Sequence, residues 1–186
     1  MRLKDRHSAG TYYSLFASDI GTGGVVAGPD GLLEVFLPFA GEMSDALVAQ
    51  IAARYPFATE ENPLSRKAAD LLAAYFAGVA VVFELPIDRR GFTLFQWEVY
   101  RAVMAIPYGE VRSYSQVAAE IGRPRAARGI GGAMARNPLP VVIPCHRVVG
   151  KSGGMTGYSA PGGIVSKLWL LKMEQLPIGK NRIKTR

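Results

Sequence analysis

The stretch that decides the fold runs from Ser113 to Val149, SYSQVAAEIGRPRAARGIGGAMARNPLPVVIPCHRVV. Ser113 is placed to cap a short helix, Tyr114 to Ile121, because a serine oxygen can accept a free amide of the first turn. Gly122 stops that helix, and Arg123-Pro124 makes a tight turn. Pro124 suits the first position of a second helix, Arg125 to Arg136, where its missing N–H costs nothing. Two short helices joined by a Gly-containing turn form the helix-turn-helix signature. Asn137-Pro138 ends the second helix, and the apolar run Val141 to Pro144 reads as a short strand leading into Cys145.

The second helix is nearly bare, with Ala126, Ala127, Gly129, Gly131, Gly132 and Ala133 along it. Each interior glycine costs roughly 1 kcal/mol, so three of them need a compensating reason. Close packing against another helix is one; close approach to a nucleic-acid backbone or groove is the other. Arg128, projecting from the bare surface, favours the second.

Working outward, Thr93 can cap a helix carrying Phe95, Val99, Val103 and Met104 that ends at Ile106-Pro107-Tyr108-Gly109. On the other side a Gly-rich loop, Gly150 to Gly163, leads to a last amphipathic helix, Ile164 to Gln175, and a basic tail. Trp97, Trp169, Phe95 and Leu170 read as core. The first half mixes signals. TYYSLFASDI (11–20) and GLLEVFLPFA (31–40) read as strands, with GTGG and GPDG supplying turns. Ser44 to Arg54 and Pro63 to Phe76 carry apolar residues at helical spacing, and VVFELPID (81–88) returns to strand character. Asp88-Arg89-Arg90-Gly91 breaks the pattern. The fold class is therefore α/β (α+β), with a small N-terminal α/β domain, 1–90, that holds a short antiparallel sheet. A mainly helical C-terminal domain, 91–186, carries the helix-turn-helix and the cysteine.

Composition narrows the function classes. Of 186 residues, 49% are hydrophobic and 20% charged, enough to bury a core. No run approaches the eighteen or so apolar residues of a membrane span, and MRLKDRHSAG has no apolar secretory core, so the cytoplasm is the expected location. One cysteine and two histidines (His7, which reads as a surface residue, and His146) leave too few soft ligands for a structural zinc site. No cofactor is expected. The lone thiol is either buried filler or the reactive centre. Residues 1–97 carry 8 Lys/Arg against 11 Asp/Glu, a net −3, whereas residues 98–186 carry 14 against 4, a net +10. That asymmetry points to an anionic partner met by the second half, or else to a merely solvated basic face.

PCHRV (144–148), preceded by the bare helix with Arg128 and by Asn137-Pro138, is followed by GYSAPGG (157–163) and a helix ending at Glu174. This set closely resembles the O6-alkylguanine-DNA alkyltransferases, in their bacterial and archaeal form without the zinc site of the human member. The match runs without a gap from about Phe95 to Val149 and continues, with loop variation typical of the family, to Glu174. The first ninety residues resemble the family in size and strand–helix order, which implies a ribonuclease H-like N-terminal domain.

The resemblance implies a single-turnover methylated-DNA–[protein]-cysteine S-methyltransferase, monomeric, with no membrane partner. It would flip a base out of double-stranded DNA and move its O6-alkyl group irreversibly to Cys145, with O4-alkylthymine as the further candidate substrate. His146 would act through a water as the base and Glu174 would orient it. Arg128 would fill the gap left by the flipped nucleotide. Tyr114 would crowd the 3′ phosphate and donate a proton to guanine N3. Tyr158 would line the pocket, Ser159 would donate near guanine O6, and Asn137 would join the recognition helix to the active-site strand. Ala126 and Ala127 would let the helix approach the groove floor. The extra Ala160-Pro161 departs from the shorter eukaryotic loop.

Three other readings use part of this pattern. A non-catalytic binder of alkylated DNA would not need Cys145, a transcription factor would not need PCHRV or GYSAPGG, and a cysteine hydrolase would not need Arg128 on a bare helix. If Glu174 favours a protonated His146, the thiol is expected to ionise below its free value of about 8.5.

Overall fold

The computed structural model describes residues 10–38, 44–155, 157–179 and 182–183. His7 and most of the basic tail lie outside them. The chain divides into two compact units, 1–91 and 92–186.

In the first unit β1 (Tyr12–Ser18), β2 (Gly21–Gly28) and β3 (Gly31–Phe36) form an antiparallel meander. A short β4 (Thr59–Glu60) runs parallel to β1, giving the order β3-β2-β1-β4. The segment GTGG is not a turn, as its composition suggests, but the start of β2; Asp19-Ile20 makes the turn instead. Gly23 is tolerated in the strand because it faces Phe16, whose ring fills the place a Cβ would take. Helix α1 (Ser44–Arg54) buries Leu47 and Ile51 against Val26, Leu33 and Tyr55. Helix α2 (Pro63–Phe76) starts at an Asn62–Ser65 capping box with proline in its first turn. It buries Ala68, Ala69, Leu72, Tyr75 and Phe76, the i, i+4, i+7 stripe that drives its docking.

The segment 81–88 is extended but is not a strand. Its alternation is real, since Val81, Phe83, Leu85 and Ile87 are half-buried while Val82, Glu84 and Pro86 are exposed. Ladder pairing, however, forms only at Ile87 opposite Leu32. Alternation reports one buried face; a strand also needs a partner edge in register.

In the second unit α3 (Leu94–Met104) begins at a Thr93–Gln96 capping box. Strand β5 (Arg112–Ser113) pairs in parallel with β6 (Val148–Val149), and Ser113 then caps α4 (Tyr114–Glu120). Gly122, at φ +70, ends α4 in the left-handed conformation. Helix α5 (Ala127–Met134) is shorter at both ends than its composition suggests. Pro124 and Arg125 belong to the turn before it, so Pro124 is not the first helical residue. Helix α6 (Gly163–Met173) is followed by β7 (Ile178–Gly179) and β8 (Arg182–Ile183), an antiparallel pair. Leu170 is fully buried, but Trp97, Trp169 and Phe95 are only half-buried. Among the described residues, no helix is long and apolar enough to cross a membrane.

Gly31 and Gly78 separate two costs of adding a methyl group. Gly78, at φ +86, has nothing within 4 Å of the place a Cβ would occupy, so Gly78→Ala should cost only the roughly 1–2 kcal/mol of left-handed backbone. At Gly31, φ +139, a Cβ would lie 2.6 Å from the Pro86 carbonyl oxygen and 2.7 Å from the Asp88 nitrogen. Gly31→Ala should therefore cost about 3 kcal/mol or more, because backbone must move. Denaturant midpoints of the two variants check this; equal losses would contradict it.

Candidate active site

The site is built on residues 137–147. Asn137 organises the approach: its Nδ2 donates to the Ile143 carbonyl at 2.9 Å and its Oδ1 accepts the Leu139 amide at 3.0 Å. Between them the chain turns tightly, with Val141 at φ 75 and the Ile143 amide donating to the Leu139 carbonyl at 2.7 Å. The strand expected over Val141 to Pro144 is therefore absent. Its apolar side chains are buried, but the backbone is used in a turn.

Cys145–Arg147 is a single 3-10 turn. At three residues per turn, successive side chains fan out by about a third of a circle rather than alternating as on a strand. Cys145 can consequently face one way while His146 and Arg147 both reach Glu174. Cys145 lines a cavity of about 620 Å³. His146 is fully buried, and its Nε2 lies 2.8 Å from Glu174 Oε1. Arg147 grips Glu174 through Nε at 3.1 Å to both carboxylate oxygens and Nη2 at 2.9 Å, while its Nη1 donates to the Ile106 carbonyl at 2.7 Å.

Glu174 closes α6, the end where the helix dipole disfavours negative charge. Burial also works against its ionisation. The hydrogen bonds from His146 and Arg147, with the guanidinium charge, outweigh both and take the carboxyl from 4.5 down to about 2. The Gly109 amide, at 3.1 Å from Oε2, adds a further donor. His146 shifts downward, chiefly through burial, with the nearby Arg147 and Lys167 charges in the same direction and Glu174 opposing. The consistent state is an ionised Glu174, a charged Arg147 and a neutral imidazole. An ionised carboxylate can only accept, so His146 donates from Nε2 and keeps Nδ1 as the basic nitrogen. This replaces the expected imidazolium.

The expected low thiol pKa is also corrected. Burial pushes the Cys145 thiol up, against the opposing effects of Asn137, Lys167, Tyr158 and a backbone hydrogen bond. Tyr158 is pushed well up in turn, by burial first and then by the cysteine beside it.

The cavity brings together most of the residues singled out above. Tyr114 from α4, Ala127 and Arg128 from the start of α5, and Gly157, Tyr158 and Ser159 from the loop all line it with Cys145. Arg128 is exposed at the rim. Ala126 stands at the N-terminus of α5 and does not line the cavity. Glu174 is 1% exposed and Tyr114 is half-buried.

The glycines of α5 face two different surroundings. Gly129 lies against α3, where a Cβ would come within 3.1 Å of Phe95 Cζ, whereas Gly131 lines the cavity. Arg147 and Lys167 also belong to the site. Arg147 stands within PCHRV, where its charge reads as favouring the thiolate, but nothing marks its burial, and nothing marks Lys167, because a basic residue in a basic half reads as solvated. Among the described residues, no group of three or more His, Cys, Asp or Glu could hold a metal ion.

Residues 94–176 match the model of the 6-O-methylguanine DNA methyltransferase, DNA binding domain. A methylated-DNA–protein-cysteine methyltransferase of Mycobacterium bovis is 50% identical over 108 residues, 58% of this chain and 64% of that protein. One from Methanosarcina barkeri is 46% identical over 116 residues, 62% of this chain and 72% of its own. The crystal structure of Mycobacterium tuberculosis O6-methylguanine methyltransferase superposes with a TM-score of 0.69 at 36% identity, covering 89% of this chain and 93% of that one.

The depressed Glu174 pKa fixes a pH dependence of stability. Its ionised form contributes fully above the unfolded value, near 4.5, and that contribution is lost as pH falls towards about 2. Glu174→Gln would leave the Arg147 guanidinium buried without its partner, at a cost of about 3–5 kcal/mol at neutral pH. Thermal midpoints between neutral and acid pH should fall less steeply for the variant than for wild type. Parallel acid limbs would remove Glu174 as their cause.

Proposed function

The chain belongs to the O6-methylguanine-DNA methyltransferase family, and on that premise we propose that it repairs alkylated guanine in double-stranded DNA by taking the alkyl group onto Cys145. The observation that carries the reading is the lone thiol of the chain, set in a cavity rimmed by Arg128 and backed by the His146–Glu174 pair.

An alkyl group on O6 lies inside the duplex, so the base is first extruded, at a cost of a few kcal/mol. Arg128 enters the vacated place in the stack from the minor groove, and the small first turn of α5, Ala126 and Ala127, allows that approach. Asn137 holds the turn that joins α5 to the nucleophile. Tyr158 and Ser159 bound the base, with Ser159 donating near O6. Cys145 gives its proton through a water to Nδ1 of neutral His146. The sulfur attacks the alkyl carbon, the bond from carbon to O6 breaks, and its electron pair passes into the purine. Tyr114 donates the proton that neutralises guanine at N3. The product thioether has no easy reaction with water, so each molecule acts once. O4-alkylthymine is the further candidate substrate. Reduced thiol chemistry fits the cytoplasm, and the protein acts as a monomer.

Incubation with duplex DNA containing O6-methylguanine should add one methyl per chain at Cys145, read by intact mass, with no later turnover. More than one lesion repaired per chain would overturn the reading.

Arg128→Ala should slow repair of duplex DNA by about tenfold or more, since it removes support for flipping, itself a few kcal/mol. Reaction with the free base O6-benzylguanine should change little. Equal losses on both substrates would place Arg128 in the chemistry or the fold.

A further inference from the structure

We propose that Ile183, on the C-terminal hairpin, is a positioning residue for the substrate loop. Docked on the turn from Gly150 to Gly154, it holds that turn and, through it, the Tyr158–Ser159 wall of the cavity. The inference rests on the reading of this cavity as the alkylguanine pocket.

The loop from 150 to 163 is tied at its far end to α6, where the Gly163 amide donates to the Ala160 carbonyl at 2.9 Å and Ser166 Oγ donates to the Pro161 carbonyl. Its near end is a turn closed on itself. The Gly153 amide donates to the Gly150 carbonyl at 2.9 Å, and the Gly150 amide to the Gly154 carbonyl at 2.8 Å. Nothing inside this turn can anchor it, because Lys151 and Ser152 are exposed and Gly150, Gly153 and Gly154 have no side chain. The anchor comes from β8. The Ile183 amide donates to the Gly153 carbonyl at 3.1 Å, and a Cβ on Gly153 would lie 2.5 Å from the Ile183 carbonyl oxygen. Gly153, at φ +72, thus meets two demands that only glycine satisfies, a left-handed backbone and a close approach. The Ile183 side chain is buried with Val149 and Leu171, and Met155 packs on the same cluster. Gly157, Tyr158 and Ser159, which line the cavity, follow Met155 within four positions.

The end of α6 aims the hairpin at this turn. Gln175 is left-handed at φ +60, with its amide donating to the Lys172 carbonyl at 3.0 Å and the Leu176 amide to the Leu171 carbonyl at 3.1 Å. This is a Schellman reversal with glutamine where glycine is usual. Leu176 and Ile178 then pack on the cluster that holds Ile183, which offsets the unfavourable backbone, and β7 pairs with β8. The matched family domain ends at residue 176, so the hairpin lies beyond it. The nucleophile has anchors of its own, in the Asn137 turn and the Arg147–Glu174 pair. Ile183 acts instead, through the turn, on the wall that meets the base.

Full-length wild type, Ile183→Asp and Ile183→Val are compared in single-turnover reaction with O6-benzylguanine over a range of concentrations. The aspartate puts a charge into the apolar cluster and undocks the hairpin, whereas valine keeps the contact. A loop released from its anchor must be ordered each time a base binds, and that cost weakens binding rather than alkyl transfer. Ile183→Asp should therefore raise the half-saturating concentration by about tenfold and leave the limiting rate within about twofold, while Ile183→Val stays near wild type. Amide hydrogen exchange across 157–163 in the free protein should quicken by about tenfold in Ile183→Asp. A residue that only stabilised the fold would lower the thermal midpoint and leave the half-saturating concentration unmoved. Unchanged half-saturation or unchanged exchange in folded Ile183→Asp, or a loss confined to the limiting rate, would overturn the proposal.

If Ile183→Asp does not fold, Gly153→Ala presses on the same contact from the loop side. It should produce the same rise in half-saturating concentration, and wild-type values would overturn the proposal. Hydrogen exchange needs no alkyl donor. Quickened exchange in a protein that never accepts an alkyl group would sink the proposed function and leave Ile183 in its role as the anchor of the loop; alkyl transfer with exchange and half-saturation unmoved would do the reverse.

Discussion

The bidentate grip of Arg147 on Glu174, out of contact with water, is the constraint on which the second unit depends. A carboxylate at the C-terminus of α6 opposes the helix dipole, and a guanidinium in a 3-10 turn has no local partner. Each is tolerable only because the other is there. The pair binds together segments 27 residues apart and, through the Ile106 carbonyl and the Gly109 amide, the loop after α3 as well. Such a pair adds little net stability compared with apolar side chains of equal size, yet loss of one partner is severe. Its value is positional. With Glu174 held ionised, His146 has one tautomer available, and the basic nitrogen is fixed without any charge on the ring.

How much of this could be read from the residues depends on the range of the interaction. Helix starts were legible because a cap is written within four residues: Thr93 with Gln96 and Ser113 with Gln116 both form capping boxes. The bare second helix of the helix-turn-helix was legible from its composition, but it has no side-chain cap, and composition places its start too early. Strands were harder, because a strand needs a partner far along the chain. Residues 81–88 alternate as a strand should but pair at one position, while Gly21 to Gly24 look like a turn and lie within β2.

At the site, the resemblance supplied Cys145, His146 and Glu174, and the geometry adds how Cys145 faces the cavity while the two residues after it both reach Glu174. The run Val141 to Pro144 is apolar because it is buried, not because it is a strand. Prolines at 140 and 144 and the left-handed Val141 turn the backbone instead. Lys167 left no trace in the sequence, and Arg147, though it stands in PCHRV, gave no sign of its burial. Burial of a charged residue depends on a partner that the local sequence does not contain, and Arg123, Arg125 and Arg128, in the same basic half, are exposed.

The seating of α5 has a consequence for its partner. Ile130, Ala133 and Met134 are buried beneath it, the Tyr100 hydroxyl donates to its Ala133 carbonyl at 3.0 Å, and Phe95 sits against Gly129. Packing and a hydrogen bond on that side resist bending or rolling of the helix to suit what it meets. In the proposed reaction the distortion must then be borne by the nucleic acid. The rate should follow how easily the base steps beside the lesion unstack, fast at loose pyrimidine–purine steps and slow in stiff adenine tracts. Even without contacts to base edges, repair would in this way acquire a preference for where it occurs.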